Sequence, residues 1–147
     1  MMLEQMRELA RDQNRCVMAT ITGRKPYCSL MAYVTNRECT KIYMVTHRQT
    51  QKYKNLITNP AVSLLIDSRD TLPRSAVQAM TVEGVFQKIE DPAEDIKVRQ
   101  KLLSVHPHLN EFMGHPEAEV FCIKIKSFLL LNGLTQASFE DMSYTDS

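Results

Sequence analysis

Several features that mark specialised proteins are scarce or absent in this sequence. Its 147 residues contain no tryptophan, only four glycines and six prolines, and 18 Lys and Arg residues against 17 Asp and Glu residues. The low glycine and proline contents exclude a collagenous or low-complexity chain. The near-neutral net charge creates no strong field for nucleic acid or for a membrane surface, so we expect neither as a partner.

Cysteine pairs and long apolar runs are also missing. The four cysteines form no Cys-x-x-Cys motif, and each lies in or beside an apolar run: Cys16, Cys28, Cys39 and Cys122. No signal-peptide pattern opens the sequence, so we interpret them as reduced thiols, with Cys28 and Cys122 packed in the core. The longest apolar runs, such as residues 128–131, are too short to cross a bilayer. These features predict a cytoplasmic protein.

Hydrophobic periodicity predicts a chain that consists mainly of strands. Strands are expected over residues 16–22, 27–35, 41–46, 61–67, 77–89 and 120–126, with another beginning at 127. Helices are expected over 1–14 and 47–58, after Pro92, and as a short segment within 106–116. Strands joined mostly by short turns favour a mainly β fold, an antiparallel barrel with attached helices. Residues 1–147 are predicted to form one domain with a flexible tail over 136–147.

The predicted second strand, residues 27–35, has apolar side chains on both faces. One interpretation directs Cys28, Leu30, Ala32 and Val34 into the barrel and Ser29, Met31 and Tyr33 outward. An outward row of Met and Tyr needs a cover. Either a partner subunit with a flat aromatic ring or the amino-terminal helix can provide that cover.

The helices have apolar stripes at helical spacing. In the first helix the stripe consists of Leu3, Met6, Leu9 and Ala10. We expect buried sides at Tyr53, Leu56 and Ile57 in the second, and at Ile96, Leu102 and Leu103 in the third.

The most informative block, residues 43–64, is a strand followed by a helix amino terminus rich in hydroxyl groups and cations. Thr50 is a candidate N-cap, and Asn59-Pro60 ends the helix. Free backbone N–H groups, the Thr50 hydroxyl and the Lys52 ammonium favour an anion such as a phosphate. The alternative is that Thr50 only caps the helix, while Lys52 and Lys54 form a solvated face.

The order of elements in this block, a strand, Thr-x-x-x-Thr-Gln-Lys, a helix, Asn-Pro and an apolar strand, resembles the pyridoxamine 5′-phosphate oxidase-like family of FMN-binding split barrels. Residues 23–31 look like the family's first hairpin and flavin-contacting strand, and residues 80–86 look like its Val-Glu-Gly strand. The resemblance covers roughly residues 7 to 126. It implies a six-stranded antiparallel split β-barrel and a homodimer that holds noncovalent FMN where the subunits meet.

The resemblance also implies roles for residues of the block. Thr46 matches a threonine that contacts the flavin nucleotide, and Thr50 and Lys52 match hydroxyl and lysine ligands of the phosphate. Gln51 replaces an arginine of the oxidases proper, so one phosphate-neutralising charge is missing. Arg48 or Lys54 can compensate for it in part.

Further cofactor contacts are expected on two other segments. Ser29, Leu30 and Met31 match a strand whose main chain runs beside the isoalloxazine ring, and His47 is expected to line the cofactor groove. The other histidines, His106, His108 and His115, neighbour prolines that indicate turns, so no metal site is predicted.

Two function classes follow from the resemblance. One is an oxidoreductase in which FMN takes electrons from a nicotinamide donor or a small reduced substrate. The other is a non-catalytic protein that binds or carries FMN or a related ligand. No catalytic side chain is identified. The vitamin-forming oxidases have a Trp and Arg pattern near their end that this sequence lacks, so we do not expect pyridoxamine phosphate turnover.

Overall fold

The computed structural model describes residues 2–69, 77–133 and 136–142. Its helices are α1 (Met2–Asp12), α2 (Gln51–Thr58), α3 (Pro92–Val105) and α4 (Asn110–Gly114), the last preceded by a 3-10 turn (Pro107–Leu109). Its strands are β1 (Arg15–Thr22), β2 (Lys25–Ala32), β3 (Val34–Thr35), β4 (Lys41–His47), β5 (Ala61–Asp67), β6 (Gln78–Lys88), β7 (Ala118–Asn132) and β8 (Gln136–Asp141).

The eight described strands form a single antiparallel sheet. Its order is β2-β1-β5-β6-β7-β4-β3, and β8 pairs with the part of β7 that extends beyond β4. Only Tyr33 separates β2 from β3, so the first and last strands of this order are joined and the sheet curls on itself. This architecture confirms the predicted mainly β, antiparallel split barrel. The two-residue β3 and the additional β8 raise the strand count above six.

The last part of the sheet differs from the sequence prediction. β7 is one strand of 15 residues, whereas the sequence suggested two strands meeting near Ser127. The register between β6 and β7 shifts at Glu83 and Gly84. This β-bulge changes the alternation of inward and outward residues, and β7 continues through it as one strand. A Cβ at Gly84 would lie 2.5 Å from Ile123 Cγ2 and 2.9 Å from the Lys124 carbonyl oxygen. Glycine is therefore required there for close approach of the strands.

The prediction of a flexible tail over residues 136–147 is partly wrong. Residues 136–141 form β8 in register with β7, and the Met142 side chain is buried. The surplus length of β7 beyond β4 supplies unpaired backbone groups that β8 satisfies, a partner that local composition does not reveal. Residues 143–147 lie outside the described part of the chain, as does Met1 of the predicted first helix.

The core has two parts, one on each side of the curled sheet. The larger part fills the barrel, and α1 closes it with Met6, Leu9 and Ala10, as the helical stripe predicted. The smaller part lies between β4, β7 and the helices α3 and α4, where Leu102 and Met113 are buried.

The predicted faces of β2 are wrong. Met31 and Tyr33 are buried in the barrel, whereas Leu30 is 70% exposed and Cys28 is also exposed. The reason is the register with β1, in which Cys16 pairs with Met31 and points inward. Because paired residues share a face, Met31 must point inward as well. A strand with apolar residues on both faces does not itself indicate which face is inside.

The buried stripes predicted for two helices also differ from those in the structure. In α2, Ile57 is exposed and Asn55 is buried in its place, although Tyr53 and Leu56 are buried as predicted. In α3, Ile96 is exposed, although it was expected on the buried side. Val98 and Leu102 form its buried side, and Leu103 is only partly buried. Helical spacing defines a stripe, but the neighbouring sheet selects the residues at its edges.

Candidate functional site

The candidate site lies where β4 passes into α2. β4 is buried along its middle, so its end at His47 brings Thr46 to a position directly below the first turn of α2. Thr50 caps the helix, as predicted, because its Oγ1 accepts a hydrogen bond from the Tyr53 backbone N–H at 3.3 Å. The hydroxyl oxygens of Thr46 and Thr50 are 3.1 Å apart. Two hydroxyl groups therefore meet at the helix amino terminus.

The same junction contains donors that can hold an anion. In the described part of the chain, no acceptor lies within hydrogen-bonding distance of the backbone N–H groups of Gln51 and Lys52. Lys52 is half-buried and has no acidic ion-pair partner among the described residues, and its burial lowers the pKa of its ammonium group. A desolvated cation without a counter-ion next to free N–H groups suits an oxyanion such as phosphate.

The side chain of Gln51 is turned toward α2 itself. Its Nε2 donates to Asn55 Oδ1 at 2.8 Å. Asn55 is 3% exposed; its Oδ1 also accepts from Thr22 Oγ1 at 2.7 Å and its Nδ2 donates to Thr20 Oγ1 at 3.0 Å. These bonds attach α2 to β1. Sequence reasoning missed Asn55, although its position four residues after Gln51 on one helix face was a usable signal.

The Arg48 guanidinium is bound by acceptors of residues 116–119, which argues against its supplying the charge that Gln51 lacks. Its Nη2 donates to the Pro116 carbonyl oxygen and to Glu117 Oε2, both at 2.9 Å, and its Nη1 donates to Glu119 Oε1 at 3.3 Å. Glu119 Oε2 also accepts from the Tyr53 hydroxyl at 2.6 Å. Burial and this bond raise the pKa of Tyr53 to about 12.

His47 lies in a stack of three rings. Its ring centroid is 3.8 Å from that of Phe112 and 4.5 Å from that of His115, with interplanar angles of 15° and 21°. Two nearly parallel rings at these distances must occupy opposite faces of His47, since on one face they would overlap. Its Nε2 is 2.9 Å from the Phe112 carbonyl oxygen. Only an edge of His47 is therefore available to line a groove.

The structure brings five of the predicted site residues together at the junction, namely Thr46, His47, Thr50, Gln51 and Lys52. The other three, Ser29, Leu30 and Met31, lie on β2, which pairs with β1, the strand to which Asn55 attaches α2. Within β2, the exposed Leu30 side chain and the buried Met31 side chain point in opposite directions. Of these three side chains, that of Leu30 is exposed, that of Ser29 is partly exposed and that of Met31 is not available to a ligand outside the barrel.

At the junction Thr46 is buried, and Thr50 and Lys52 are partly buried. Five surface cavities of about 290 to 530 Å³ lie elsewhere, and none of these five is lined by Thr46, Thr50 or Lys52. The largest of them, about 530 Å³, includes Leu30 and Leu65 in its lining. A groove over the junction would therefore need a second wall.

One further histidine and three of the cysteines are buried. His106 is buried, with its Nε2 2.9 Å from the Tyr33 carbonyl oxygen. Cys16, Cys39 and Cys122 are buried free thiols, and burial raises their pKa values to about 12, 11 and 11. Among the residues described, no three His, Cys, Asp or Glu side chains are grouped so as to hold a metal ion. Nor does any described helix have the length and apolar character needed to cross a membrane.

A comparison with known protein families shows where this fold and the β4–α2 junction occur together. A sequence model of the family described as pyridoxamine 5′-phosphate oxidase matches residues 2–132. The chain belongs to the pyridoxamine 5′-phosphate oxidase family. That match includes the whole β4–α2 junction and the Val-Glu-Gly strand, and it confirms the resemblance inferred from the sequence. A search of curated protein sequences gave no match.

Solved structures agree with this family fold. The chain resembles a haem-binding protein from Mycobacterium smegmatis with a TM-score of 0.82 at 18% identity, covering 94% of this chain but 57% of that one. An FAD-binding protein from Mesorhizobium loti gives 0.71 at 15% identity, with 86% and 91% covered. The haem storage protein HutZ from Vibrio cholerae gives 0.71 at 16% identity, with 88% and 93% covered. At these identities the likeness establishes the fold, and it shows that the fold accommodates different ligands.

Proposed function

We propose that this family member is a flavoprotein that binds FMN noncovalently through its phosphate at the β4–α2 junction. The observation that carries the proposal is that the adjacent Thr46 and Thr50 hydroxyls, the half-buried Lys52 and two free backbone N–H groups all belong to the end of β4 and the first turn of α2. The ammonium and the N–H groups suit an oxyanion. The Thr50 hydroxyl donates to the His47 carbonyl oxygen at 2.9 Å without a ligand and would turn to a phosphate oxygen on binding, so the residues present fit the phosphate of FMN. When bound, FMN supplies the electron-transfer chemistry.

In this proposal each residue has a limited task. Thr46 and Thr50 offer hydroxyl groups to phosphate oxygens, and Lys52 supplies the positive charge. Gln51 holds Asn55 and thereby the first turn of α2, and His47 contributes an edge to the groove. The main chain of β2 at Ser29, Leu30 and Met31 runs beside the isoalloxazine ring, as the family resemblance implies.

A homodimer is part of the proposal. One outward row crosses six strands through the paired residues Leu30, Val17, Leu65, Thr81, Leu129 and Phe139. In this row Leu30 is 70% exposed and Phe139 is 61% exposed. A mostly apolar row of this extent is expected to be buried against another molecule. A second copy of the chain would bury it and would also provide the second wall of the groove.

We favour an oxidoreductase that receives electrons from a nicotinamide donor or a small reduced substrate. The alternative is a carrier that holds FMN or a related ligand without turnover. Because the redox step belongs to the flavin, it requires no protein acid or base, and the junction supports either role. The four free cysteines are compatible with a cytoplasmic location, which we include in the proposal.

Titration of the apo-protein with FMN and with riboflavin tests the proposal. FMN should bind at least about tenfold more tightly, because only FMN has the phosphate that the junction holds. Equal affinities would contradict it. NAD(P)H oxidation by the FMN-loaded protein then distinguishes the two roles: turnover with an added electron acceptor indicates the oxidoreductase, and tight FMN binding without turnover indicates the carrier.

A further inference from the structure

The loop between β4 and α2 is held from one side by residues 112–119, which comprise the end of α4, a turn and the start of β7. His47 stacks between two rings of this segment and contacts the Phe112 carbonyl oxygen. The Arg48 backbone N–H donates to the Glu117 carbonyl oxygen at 2.9 Å. The two residues that lead into the candidate anion site are therefore both attached to this segment.

The Arg48 side chain adds further contacts to this attachment. Its guanidinium group binds two carboxylates and a carbonyl oxygen: Glu117, Glu119 and Pro116. One positive charge faces two negative charges, so the three side chains together have a net charge of −1. Arg48 consequently brings no net positive charge to the amino terminus of α2, although its position in the sequence suggests a phosphate ligand.

We propose that Arg48 is a positioning residue for the anion site and does not bind the anion. Held by Glu117 and Glu119, it fixes the loop so that the Thr46 and Thr50 hydroxyls meet beside the first turn of α2. This inference rests on the proposed function, since the site it serves is the one that we assign to the phosphate of FMN.

Positioning and simple electrostatics predict opposite results when Glu117 is replaced. Glu117→Ala removes a negative charge near an anion site, which by electrostatics alone, or by release of Arg48 toward the phosphate, should strengthen FMN binding. If Arg48 positions the loop, the same change loosens the loop and weakens FMN binding. The backbone bond between Arg48 and Glu117 remains in this variant, so the strand pairing is retained.

The experiment measures FMN and riboflavin affinities for the wild type, Glu117→Ala and Arg48→Lys. Lysine keeps the positive charge but lacks the fork that reaches several acceptors at once. We expect both variants to bind FMN about 5-fold to 20-fold more weakly, with riboflavin affinity changed less than about twofold. Glu4→Ala, which breaks the exposed Arg11–Glu4 pair on α1 (2.5 Å), is the matched control and should change neither affinity.

The possible failures are distinguishable. Tighter or unchanged FMN binding by Glu117→Ala overturns the positioning role while leaving the phosphate site in place. Wild-type protein that binds FMN and riboflavin equally overturns the proposed function and this inference with it. A lower melting temperature accompanied by equal losses for both ligands shows that Arg48 is merely structural, and this result also overturns the inference.

Discussion

At the scale of single residues, Lys52 and Gln51 show how neighbouring positions of one motif take different tasks. Lys52 is half-buried without a counter-ion in the described structure, whereas the Gln51 amide is bonded within the helix. Burying an ammonium group without a partner costs free energy, and an anionic ligand recovers that cost. We therefore assign the charge of the site to Lys52.

Lys52→Ala should weaken FMN binding by about 10-fold to 100-fold, since a charge-assisted contact contributes on the order of 1.5–3 kcal/mol. The melting temperature of the apo-protein should not fall, because Lys52 forms no ion pair with a described residue and its burial is unfavourable. Lys54→Ala, an exposed lysine on the same helix, is the control and should have little effect. Loss of apo-protein stability with unchanged affinity would contradict the assignment.

The lowered pKa of Lys52 also predicts a pH dependence. The protonated ammonium binds the anion. FMN affinity should therefore fall as the pH rises toward the pKa of Lys52, which lies below the ordinary value for lysine. The FMN phosphate is already fully ionised there, and Tyr53, with a pKa raised to about 12, is still neutral. A wild-type affinity decline that persists in Lys52→Ala would show that another group is responsible.

At the scale of elements, α2 is an eight-residue helix that is held by two core side chains, Tyr53 and Leu56, and by one buried polar side chain. Asn55 bonds to Thr20 and Thr22 of β1 and to Gln51 of its own helix. A short helix has little intrinsic stability, so its orientation comes from such tertiary bonds. The placement of Thr50 and Lys52 therefore depends on Asn55, which does not itself reach the site.

Asn55→Ala should lower the free energy of unfolding by about 1–3 kcal/mol, because the buried Thr20 hydroxyl loses its Asn55 donor and keeps only the long 3.5 Å bond to the Tyr27 carbonyl oxygen. Urea denaturation measures this change. Thr58→Ala removes only an exposed bond to the Lys54 carbonyl oxygen and should change stability by less than about 0.5 kcal/mol. Equal effects of the two substitutions would refute the special role of Asn55.

At the scale of the whole molecule, the exposed apolar row across the sheet is the feature that a single chain leaves unexplained. It begins at Leu30 on β2 and ends at Phe139 on β8. Leu30 belongs both to this row and to the strand expected beside the flavin. Association of two chains and formation of the FMN groove should therefore be lost together.

Leu30→Glu should produce monomers and lose FMN, because a two-fold interface presents the added charge twice. Sedimentation velocity with detection at the flavin absorbance measures both effects. Ile96→Glu, on the exposed side of α3, is the matched control and should leave both unchanged. A Leu30→Glu monomer that binds FMN with wild-type affinity would show that one chain suffices.

Met31→Glu is unsuitable for this purpose, since Met31 is buried in the barrel and its replacement should unfold the protein.

Features that depend on neighbouring residues could be predicted from the sequence. The α1 stripe, the bounds of β5, the Thr50 cap and the Asn59-Pro60 stop follow from local periodicity and capping. The family also followed from short motifs in order. The inward face of β2 could not be predicted from its own residues, because it depends on the register with β1. The same is true of the binding of Arg48 by glutamates about 70 residues away and of the pairing of residues 136–141 with the sheet. Such partners are distant in sequence, and local patterns do not contain them.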